Sequence, residues 1–308
     1  MRFRTLGKTG LRVSEISLGT VEIGIDYGLS ANGPAARPSE AEAFLLLHRA
    51  LNLGINFIDT ARAYGDSEAI IGRSLKERRT DFVVCSKVQV QPIQPFDALR
   101  RNMIDSVETS LRLLSTDFVD IMMIHSASAE VVACEEITTV LGELRNQGRL
   151  RWIGVSVYSE GAALAAIHSG RYDCVQVAYN ALDRGVESSV LGEAERANVG
   201  IVARSVLLKG VLTDRYRYLP HHLDALQTAA RELEQVASEA GVSLPELAYR
   251  YVLSRPVPHS ALVGASNLEE LESAVRFVDA GPLPSEAIAR IRKVKVSNEE
   301  LLNPSKWG

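Results

Sequence analysis

The amino-acid sequence predicts an α/β fold, a closed (β/α)8 barrel of the TIM type that follows a short N-terminal β-hairpin. Eight short apolar runs of strand length alternate with longer helical patterns almost from end to end. No G-x-G-x-x-G turn follows the first run, which continues as Gly19-Thr20-Val21-Glu22-Ile23-Gly24. An open, doubly wound sheet that binds a dinucleotide needs such a turn, so the closed barrel is favoured. No linker divides the 308 residues, and a single domain over residues 1–308 is expected.

The barrel strands are predicted from the apolar runs that end before polar or glycine-containing turns. In chain order the predicted strands are Ile16–Leu18, Ile55–Ile58, Phe82–Ser86, Phe118–Ile124, Trp152–Val155, Cys174–Val177, Ile201–Ala203 and Ala261–Val263.

The helices between the strands are predicted from capping signals and from helical spacing of apolar residues. Ser39 followed by Glu42 forms a capping box for the first helix, along which Phe44, Leu47 and Leu51 recur at helical spacing. Three further helices are predicted in the same way: one capped by Asp97 and reaching Leu114, one from Val132 to Gln147 closed by Gly148, and one started by Ser243 and Pro245 that runs toward Ser254.

Extra loop length falls at three places, at Glu22–Arg37, at Lys209–His222 and in the tail after Pro284. In the barrel the first two follow strands one and seven, so they are expected to rim the face where active sites lie. Five side chains are candidates for lining a substrate pocket there: Glu22, Tyr27, Tyr158, Arg204 and Trp307. Their polar groups suggest a sugar or another hydroxylated carbonyl compound.

Composition excludes several classes of function. A net charge of −4 and 46% hydrophobic residues fit a globular protein, with no electrostatic reason to expect nucleic acid or an anionic membrane as partner. The N-terminus lacks the apolar segment of a signal peptide, and no run approaches the ~20 apolar residues of a membrane-spanning helix. The cytoplasm is the expected location. Oligomeric state is not readable from the sequence.

The three cysteines, Cys85, Cys134 and Cys174, are far apart in the chain. Cys85 and Cys174 fall inside strand-like runs and are expected to be buried thiols. Because the sequence has no CxxC or HExxH spacing, no metal site is predicted.

Four residues carry most of the chemical information: Asp59, Tyr64, Lys87 and His125. They follow the predicted second, third and fourth strands, whose C-terminal ends open onto one face of a barrel. Each has an ordinary structural interpretation, as a turn cap, a half-buried aromatic, a solvated lysine or a core histidine. Their shared position after three consecutive strands favours convergence on one pocket.

Together these four groups form a tuned proton donor. A free tyrosine titrates near pH ~10, and a neighbouring ammonium lowers that pKa, which is the expected effect of Lys87 on Tyr64. Asp59 would hold Lys87 in its charged form, and His125 would donate to the substrate oxygen and relay a proton. None of the four supplies electrons, so reduction of a carbonyl requires a hydride carrier.

The chain resembles the aldo-keto reductases from about Phe3 to about Val278. The segment from Asn56 to Gly65 reads NFIDTARAYG, and the opening from Leu6 to Ser14 reads LGKTGLRVS. Ser86-Lys87, Ile124-His125 and Gly154-Val155-Ser156 follow in the expected order. The resemblance implies a barrel that binds NADP(H) or NAD(H) and reduces aldehydes or ketones, or oxidises aldoses or alcohols in reverse. It also implies that Asp59, Tyr64, Lys87 and His125 form the catalytic tetrad, with Tyr64 as the acid.

The same resemblance implies a set of cofactor-binding residues. Ser156 and Gln176 would bind the nicotinamide carboxamide, and Arg204 stands where relatives carry a stacked aromatic side chain. The full set is Gly19, Thr20, Ser156, Gln176, Arg204, Ser205, Leu207, Gly210, Gly264, Ser266, Asn267 and Glu270.

Three departures from the family pattern bear on cofactor binding. Val157 replaces a common asparagine and so affects one contact to the carboxamide. Ser266 and Ala274 stand where phosphate-selective relatives place an arginine and an asparagine, and these two positions bear on the choice of cofactor. The family as a whole favours NADP(H), whereas the missing arginine and Glu270 favour NAD(H), and Lys209 or Arg215 would compensate for the missing charge.

Two other functions remain open from the sequence. One is a weakly catalytic dinucleotide-binding subunit that senses redox state, as among potassium-channel β subunits. The other is a metal-dependent hydrolase on the same barrel, with Asp59 and His125 as ligands. Lys87 beside Asp59 would repel a divalent cation, which disfavours the hydrolase.

Overall fold

The computed structural model describes residues 1–30, 33–91 and 95–307. Its strands are β1 (Phe3–Thr5), β2 (Arg12–Ser14), β3 (Ile16–Gly19), β4 (Leu29–Ser30), β5 (Gly33–Pro34), β6 (Phe57–Asp59), β7 (Val83–Val88), β8 (Val119–Ala127), β9 (Leu150–Val157), β10 (Cys174–Ala178), β11 (Gly200–Arg204) and β12 (Ser260–Gly264).

Twelve α-helices are described, and several short 3₁₀ turns lie in the loops. The helices are α1 (Val21–Gly24), α2 (Glu40–Asn52), α3 (Ser67–Leu75), α4 (Phe96–Leu114), α5 (Ala129–Ala133), α6 (Glu135–Asn146), α7 (Glu160–Ser169), α8 (Val190–Arg196), α9 (Asp224–Glu239), α10 (Leu244–Leu253), α11 (Leu268–Asp279) and α12 (Ser285–Ile291).

Eight parallel strands close into a barrel in the order β3, β6, β7, β8, β9, β10, β11, β12 and back to β3. The predicted (β/α)8 barrel is therefore confirmed, and each predicted strand matches one barrel strand. The predicted N-terminal hairpin is also confirmed, since β1 and β2 pair antiparallel. Its Leu6 and Val13 join the buried cluster at the N-terminal end of the barrel, so the hairpin closes that end.

Strand alternation sets two layers of side chains inside the barrel. Alternate residues of a strand point to the same face, so a side chain two positions further along lies one layer nearer the C-terminal end. The lower layer is apolar and fully buried, with Phe57, Cys85, Met123 and Cys174. Two positions further along the same strands stand Asp59, Lys87, His125 and Gln176. The inward-facing side chains thus change from apolar to polar or charged at one level of the barrel.

Two predicted helix starts are confirmed. Ser39 forms the capping box with Glu42, and the Ser243 side chain accepts from the backbone N–H of Glu246 at the start of α10, with Pro245 in its first turn. The burial predicted for Cys85 and Cys174 is also confirmed.

Three predictions about helices are wrong. Asp97 does not cap α4, because Pro95 takes the N-cap position with φ −55° and ψ 143° and leaves Asp97 inside the first turn. The single helix predicted from Val132 to Gln147 is divided into α5 and α6. Ser128 caps α5 separately, and Cys134 is extended between the two helices with φ −69° and ψ 108°. The tail after Pro284, expected as loop, contains α12.

Candidate active site

A cavity of about 580 Å³ opens at the C-terminal ends of the barrel strands. Asp59, Tyr64 and His125 line it, and Lys87 lies fully buried beneath it. Of the predicted cofactor residues, all except Asn267 line this cavity. The structure therefore brings nearly all of the predicted site residues to one place.

Lys87 and Asp59 form an ion pair below the cavity floor, and both side chains are buried. The Lys87 ammonium also donates to the carbonyl oxygen of Thr60 at 2.9 Å, and Gln176 Nε2 donates to the second carboxylate oxygen of Asp59 at 2.8 Å. Burial alone would lower the pKa of Lys87, but the charge of Asp59, its hydrogen bond to Lys87 and the smaller contributions of Tyr64 and Cys85 together outweigh burial and raise that pKa above its usual value. Lys87 is thus held as a positive charge. Both members of the buried ion pair also make further hydrogen bonds, which such a pair needs in order to offset the loss of water.

Tyr64 lies in the turn after β6, which is held against α1. A Cβ atom on Gly24 would lie 1.9 Å from the carbonyl oxygen of Tyr64, so only glycine permits this approach. The Tyr64 ring meets the His125 ring edge to face, with centroids 5.5 Å apart and an angle of 84° between the planes. Lys87 Nζ lies 5.0 Å from the centroid of the Tyr64 ring.

The acidity of Tyr64 differs from the sequence-based expectation. Burial raises the pKa of Tyr64, and Lys87 lowers it by a smaller amount, so that the net direction is upward. The expected effect of Lys87 is present, but burial at the cavity floor outweighs it. Tyr64 is therefore a protonated phenol at neutral pH, ready to donate.

His125 is a neutral imidazole in this environment. Burial, followed by the positive charges of Lys87 and Arg204, lowers its pKa to about 3. Its Nδ1 atom is buried and has no hydrogen-bond partner among the described residues. A neutral imidazole donates a hydrogen bond from one ring nitrogen, so His125 is suited to hold an oxygen atom rather than to act as a strong acid.

We expect His125 to stay neutral between about pH 5 and 8, the range in which an unperturbed histidine titrates. Its ring signals in a two-dimensional ¹H–¹⁵N spectrum should keep the pattern of a neutral imidazole throughout, with His125→Gln used for assignment. A midpoint near pH ~6.5 would contradict the site geometry described above.

The wall near β9, β10 and β11 carries linked polar side chains. Ser156 Oγ donates to Gln176 Oε1 at 3.3 Å. Arg204 donates to the carbonyl oxygen of Val157 at 3.0 Å, and its guanidinium carbon lies 4.2 Å from the centroid of the Tyr158 ring. Arg204 thus faces the cavity beside an aromatic ring, and it forms no ion pair with any residue that the structure describes.

Strained backbone lies along the rim of this wall. Ser126, Ser205 and Lys209 adopt positive φ values of 57°, 59° and 56°, a region that L-residues rarely occupy, and all three line the cavity. Strain of this kind is found most often at functional sites.

The far end of the cavity is formed by the start of α11 and the loop after β11. Glu270 accepts from the backbone N–H of Ser266 at 2.9 Å and from its hydroxyl at 3.0 Å. Its other carboxylate oxygen accepts from Arg215 at 2.6 Å. Asn267, predicted as a cofactor residue, instead caps α11, where its side chain accepts from the N–H of Glu270. The cap directs that side chain toward the helix rather than the cavity.

The candidate pocket residues also include some that line the cavity and one that does not. Glu22, Tyr27 and Tyr158 line the cavity. Trp307 does not, because it is buried and its Nε1 donates to the carbonyl oxygen of Leu301. Thr20 lines the cavity, but its hydroxyl donates to the carbonyl oxygen of Asp59 at 2.9 Å and so ties β3 to β6.

Two buried residues at or near the site were given no role from the sequence. Tyr249 lines the cavity from α10, and Glu68 of α3 accepts from Ser86 Oγ at 2.6 Å next to Lys87. Glu68 follows the NFIDTARAYG segment and is part of the same resemblance to the family. No sequence signal separates Tyr249 from the other apolar positions of its helix.

Comparison with known proteins agrees with this geometry. Residues 15–296 match the Aldo/keto reductase family. The chain belongs to the aldo/keto reductase family. The holo form of the aldo-keto reductase AKR11C1 from Bacillus halodurans superposes with a TM-score of 0.79 at 26% identity, covering 96% of each chain.

Several proteins are similar to this aldo/keto reductase along most of its length. Aldo-keto reductase YhdN from Bacillus subtilis is 32% identical, covering 89% of this chain and 87% of its own. L-galactose dehydrogenase from Arabidopsis thaliana is 27% identical over 99% and 98% of the two chains. A probable voltage-gated potassium channel subunit beta from rice (Oryza sativa subsp. japonica) is 28% identical over 92% and 93%.

The family uses NAD(P)H, and the cavity of this member fits such a cofactor in most respects. It extends from Gln176 inside the barrel to Glu270 at the start of α11. Glycines at positions 19, 210 and 264 leave parts of the wall free of side chains. One side chain does not fit an anionic ligand, because the carboxylate of Glu22 lies against Gly264.

No group of three or more His, Cys, Asp and Glu side chains among the described residues is arranged to hold a metal ion. No helix in the described part of the chain has the length and apolar character needed to span a membrane.

Proposed function

We propose that this aldo/keto reductase is an NAD(P)(H)-dependent oxidoreductase that reduces an aldehyde or a ketone, and that oxidises aldoses or alcohols in reverse. The observation that carries the proposal is the placement of a protonated phenol, Tyr64, above the buried Lys87–Asp59 ion pair and against the neutral ring of His125. This arrangement supports delivery of one proton to an oxygen atom in the cavity.

Each member of the tetrad has a distinct role in this proposal. The cofactor, when bound, supplies the hydride. Tyr64 donates its proton to the carbonyl oxygen, and the positive charge of Lys87 stabilises the phenolate that remains. Asp59 fixes Lys87 in position. His125 donates a hydrogen bond that orients the substrate oxygen over the Tyr64 hydroxyl.

The cofactor contacts follow from the cavity wall. We propose that Ser156 and Gln176 bind the carboxamide of the nicotinamide, with Arg204 beside the ring. Gly264, Ser266 and the amides at the start of α11 would bind the adenosine phosphates, as helix N-termini do for anions. Ser205, Leu207 and Gly210 would line the path between the two ends.

The choice between NADP(H) and NAD(H) depends on charge at the adenosine end. The family as a whole leads us to expect NADP(H). The cation nearest Ser266 in the hydrogen-bond network, Arg215, is already paired with Glu270. NAD(H) therefore stays as the alternative.

Adding the missing charge should shift cofactor affinity. We expect Ser266→Arg combined with Glu270→Gln to tighten NADP⁺ binding by about tenfold or more relative to NAD⁺, because a charge-assisted hydrogen bond contributes ~1.5–3 kcal/mol. Dissociation constants from calorimetric titration check this. The matched control is Ser266→Gln combined with Glu270→Gln, which adds length without charge. Both double variants release Arg215 from Glu270, so the difference between their ratios measures the added arginine alone. An equal change in both variants would place the 2′-phosphate away from Ser266.

A second candidate function is a weakly catalytic, dinucleotide-binding subunit that senses redox state. The similarity to a probable potassium-channel subunit beta favours it. Both functions require cofactor binding, and only the first requires turnover. Titration with each dinucleotide followed by turnover with aldehydes, ketones and aldoses separates them, since binding without turnover on any carbonyl would support the sensor.

The substrate class is proposed as a small carbonyl compound or a sugar. The polar lining from Tyr27, Tyr158 and Arg204 supports this class, and the L-galactose dehydrogenase relative acts on a sugar by name. A single domain over residues 1–308 and a cytoplasmic location remain predictions.

A further inference from the structure

Glu22 places a carboxylate within the cavity, at the end proposed to bind the adenosine phosphates. It is the second residue of α1, directly after the Gly19-Thr20 end of β3. A Cβ atom on Gly264 would lie 2.0 Å from Glu22 Oε1, so the carboxylate is in close contact with the backbone at the end of β12. Gly264 is itself paired with Gly19 in the barrel. Glu22 thus lies across the junction of β3 and β12.

The Glu22 carboxylate forms no salt bridge with any residue in the described part of the chain, and its buried Oε2 atom accepts no hydrogen bond there. The charge of Arg215, in the loop after β11, acts on Glu22, but the Arg215 guanidinium is engaged by Glu270 at 2.6 Å. An unpaired buried carboxylate is costly unless it is protonated.

The groups that face Glu22 come from every side of the cavity and are mostly acidic or neutral. Glu270 on α11 and Asp59 at the end of β6 are carboxylates, while Arg215 is the positive group. Tyr27 from the loop after α1 and Tyr249 from α10 are neutral phenols that interact with Glu22. On α3, which packs against α1, the carboxylate of Glu68 is already bonded to Arg62 and Ser86.

The pKa of Glu22 is raised from 4.5 to about 7, and burial is the largest cause. The negative charge of Glu270 and that of Asp59 add to this effect, while a backbone hydrogen bond and Arg215 oppose it. The side chain is therefore divided between its charged and neutral forms near neutral pH.

A dinucleotide brings two negatively charged phosphate groups to this end of the cavity. An ionised carboxylate on the same wall would repel them, whereas a neutral carboxyl group has an O–H that donates to a phosphate oxygen. We propose that Glu22 is a proton-linked control of dinucleotide binding, taking up one proton from solvent when the cofactor binds and returning it on release. This inference rests on the proposed function and adds a regulatory residue to it.

The linkage makes cofactor affinity depend on pH. For wild type we expect the dissociation constants of NAD⁺ and NADP⁺ to rise above neutral pH, approaching tenfold per pH unit as expected for one linked proton. Glu22→Gln cannot ionise and should give dissociation constants that are nearly constant from about pH 6 to 8.5. Both constants are measured by quenching of tryptophan fluorescence.

Proton uptake can be counted directly on the wild-type protein. Calorimetric titration with NADP⁺ at about pH 8, in two buffers of different ionisation enthalpy, should show uptake of close to one proton. Glu22→Gln should show none. Glu269→Gln is the matched control, because Glu269 lines the same cavity but is exposed, and it should retain the wild-type uptake.

A stability measurement tests the state of Glu22 without any ligand. Its pKa is raised on folding, so the neutral form stabilises the protein below pH 4.5, and this contribution is lost as pH rises through about 7. The melting temperature of Glu22→Gln should therefore exceed that of wild type at about pH 8 by more than at pH 4.5.

The outcomes separate the inference from the function on which it rests. Dinucleotide binding without proton uptake and with a flat pH profile in wild type would overturn the role of Glu22 while leaving the proposed function in place. Failure of wild type and Glu22→Gln to bind either dinucleotide at any pH would overturn both.

Discussion

Tyr64→Phe is expected to lower the kcat for carbonyl reduction by about 10²–10⁴-fold, the usual contribution of general acid catalysis. The substitution removes only the hydroxyl group, so the edge-to-face contact with His125 and the Lys87–Asp59 pair below should be kept. We therefore expect the dissociation constants of the dinucleotides to change little. Steady-state turnover and titration on the same preparation measure both quantities.

The matched control for this loss is Tyr27→Phe. Tyr27 also lines the cavity, but it is not in contact with the buried ion pair in the described hydrogen-bond network. We expect its substitution to alter KM more than kcat. A Tyr64→Phe variant that keeps more than about a tenth of wild-type kcat would mean that another group, or water, supplies the proton.

Lys87→Met is expected to destabilise the fold by about 3–5 kcal/mol and to abolish turnover. The methionine fills the volume of the lysine side chain but leaves the buried carboxylate of Asp59 without its ammonium partner, and breaking a buried pair on one side has this cost. Urea unfolding followed by circular dichroism gives the free energy of unfolding, compared with wild type at the same pH.

The double variant Asp59→Asn/Lys87→Met tests the cause of that loss. Without an ionised carboxylate, the charge penalty is gone, and Gln176 Nε2 still has an acceptor in the asparagine oxygen. We expect the double variant to recover more than half of the lost stability and none of the activity. Equal destabilisation of the single and double variants would show that packing around Lys87, rather than charge, is what the substitution disturbs.

The barrel and the convergence of Asp59, Tyr64, Lys87 and His125 at one end of it could be predicted because their signals are local and periodic. In β6, Phe57 and Asp59 point to the same face, so the change from an apolar to a charged side chain is visible within three residues. The same change occurs from Cys85 to Lys87 in β7. A strand that buries its early residues and ends in a charge has few other interpretations in a parallel barrel. The capping box at Ser39 was equally readable, since both partners lie within one turn.

The failed predictions depend on contacts that short patterns do not contain. Helical periodicity continues across Cys134, but a second cap at Ser128 and the extended backbone of Cys134 divide the helix. The helix-capping role of the Asn267 side chain was likewise not anticipated, since asparagine is common both at helix N-caps and in ligand contacts. Its part in cofactor binding stays a prediction.

The electrostatic character of the cavity could also not be predicted from the sequence. The pairing of Arg215 with Glu270 joins residues 55 positions apart, and Glu22 meets Gly264 from the opposite end of the chain. Even the net effect on the pKa of Tyr64 required the burial of the phenol, which outweighs the charge of Lys87. Composition gives the charges, whereas only the fold gives their distances and their solvent exposure.

Transfer of deuterium from a reduced cofactor tests the central claim most directly. Wild-type protein is incubated with an aldehyde or aldose substrate and NADPH or NADH deuterated at the transferring carbon, and the product is analysed by mass spectrometry. The proposed mechanism predicts an alcohol that carries one deuterium, formed by wild type and in much lower yield by Tyr64→Phe. Tight binding of the dinucleotide with no deuterated alcohol from any carbonyl compound would contradict it.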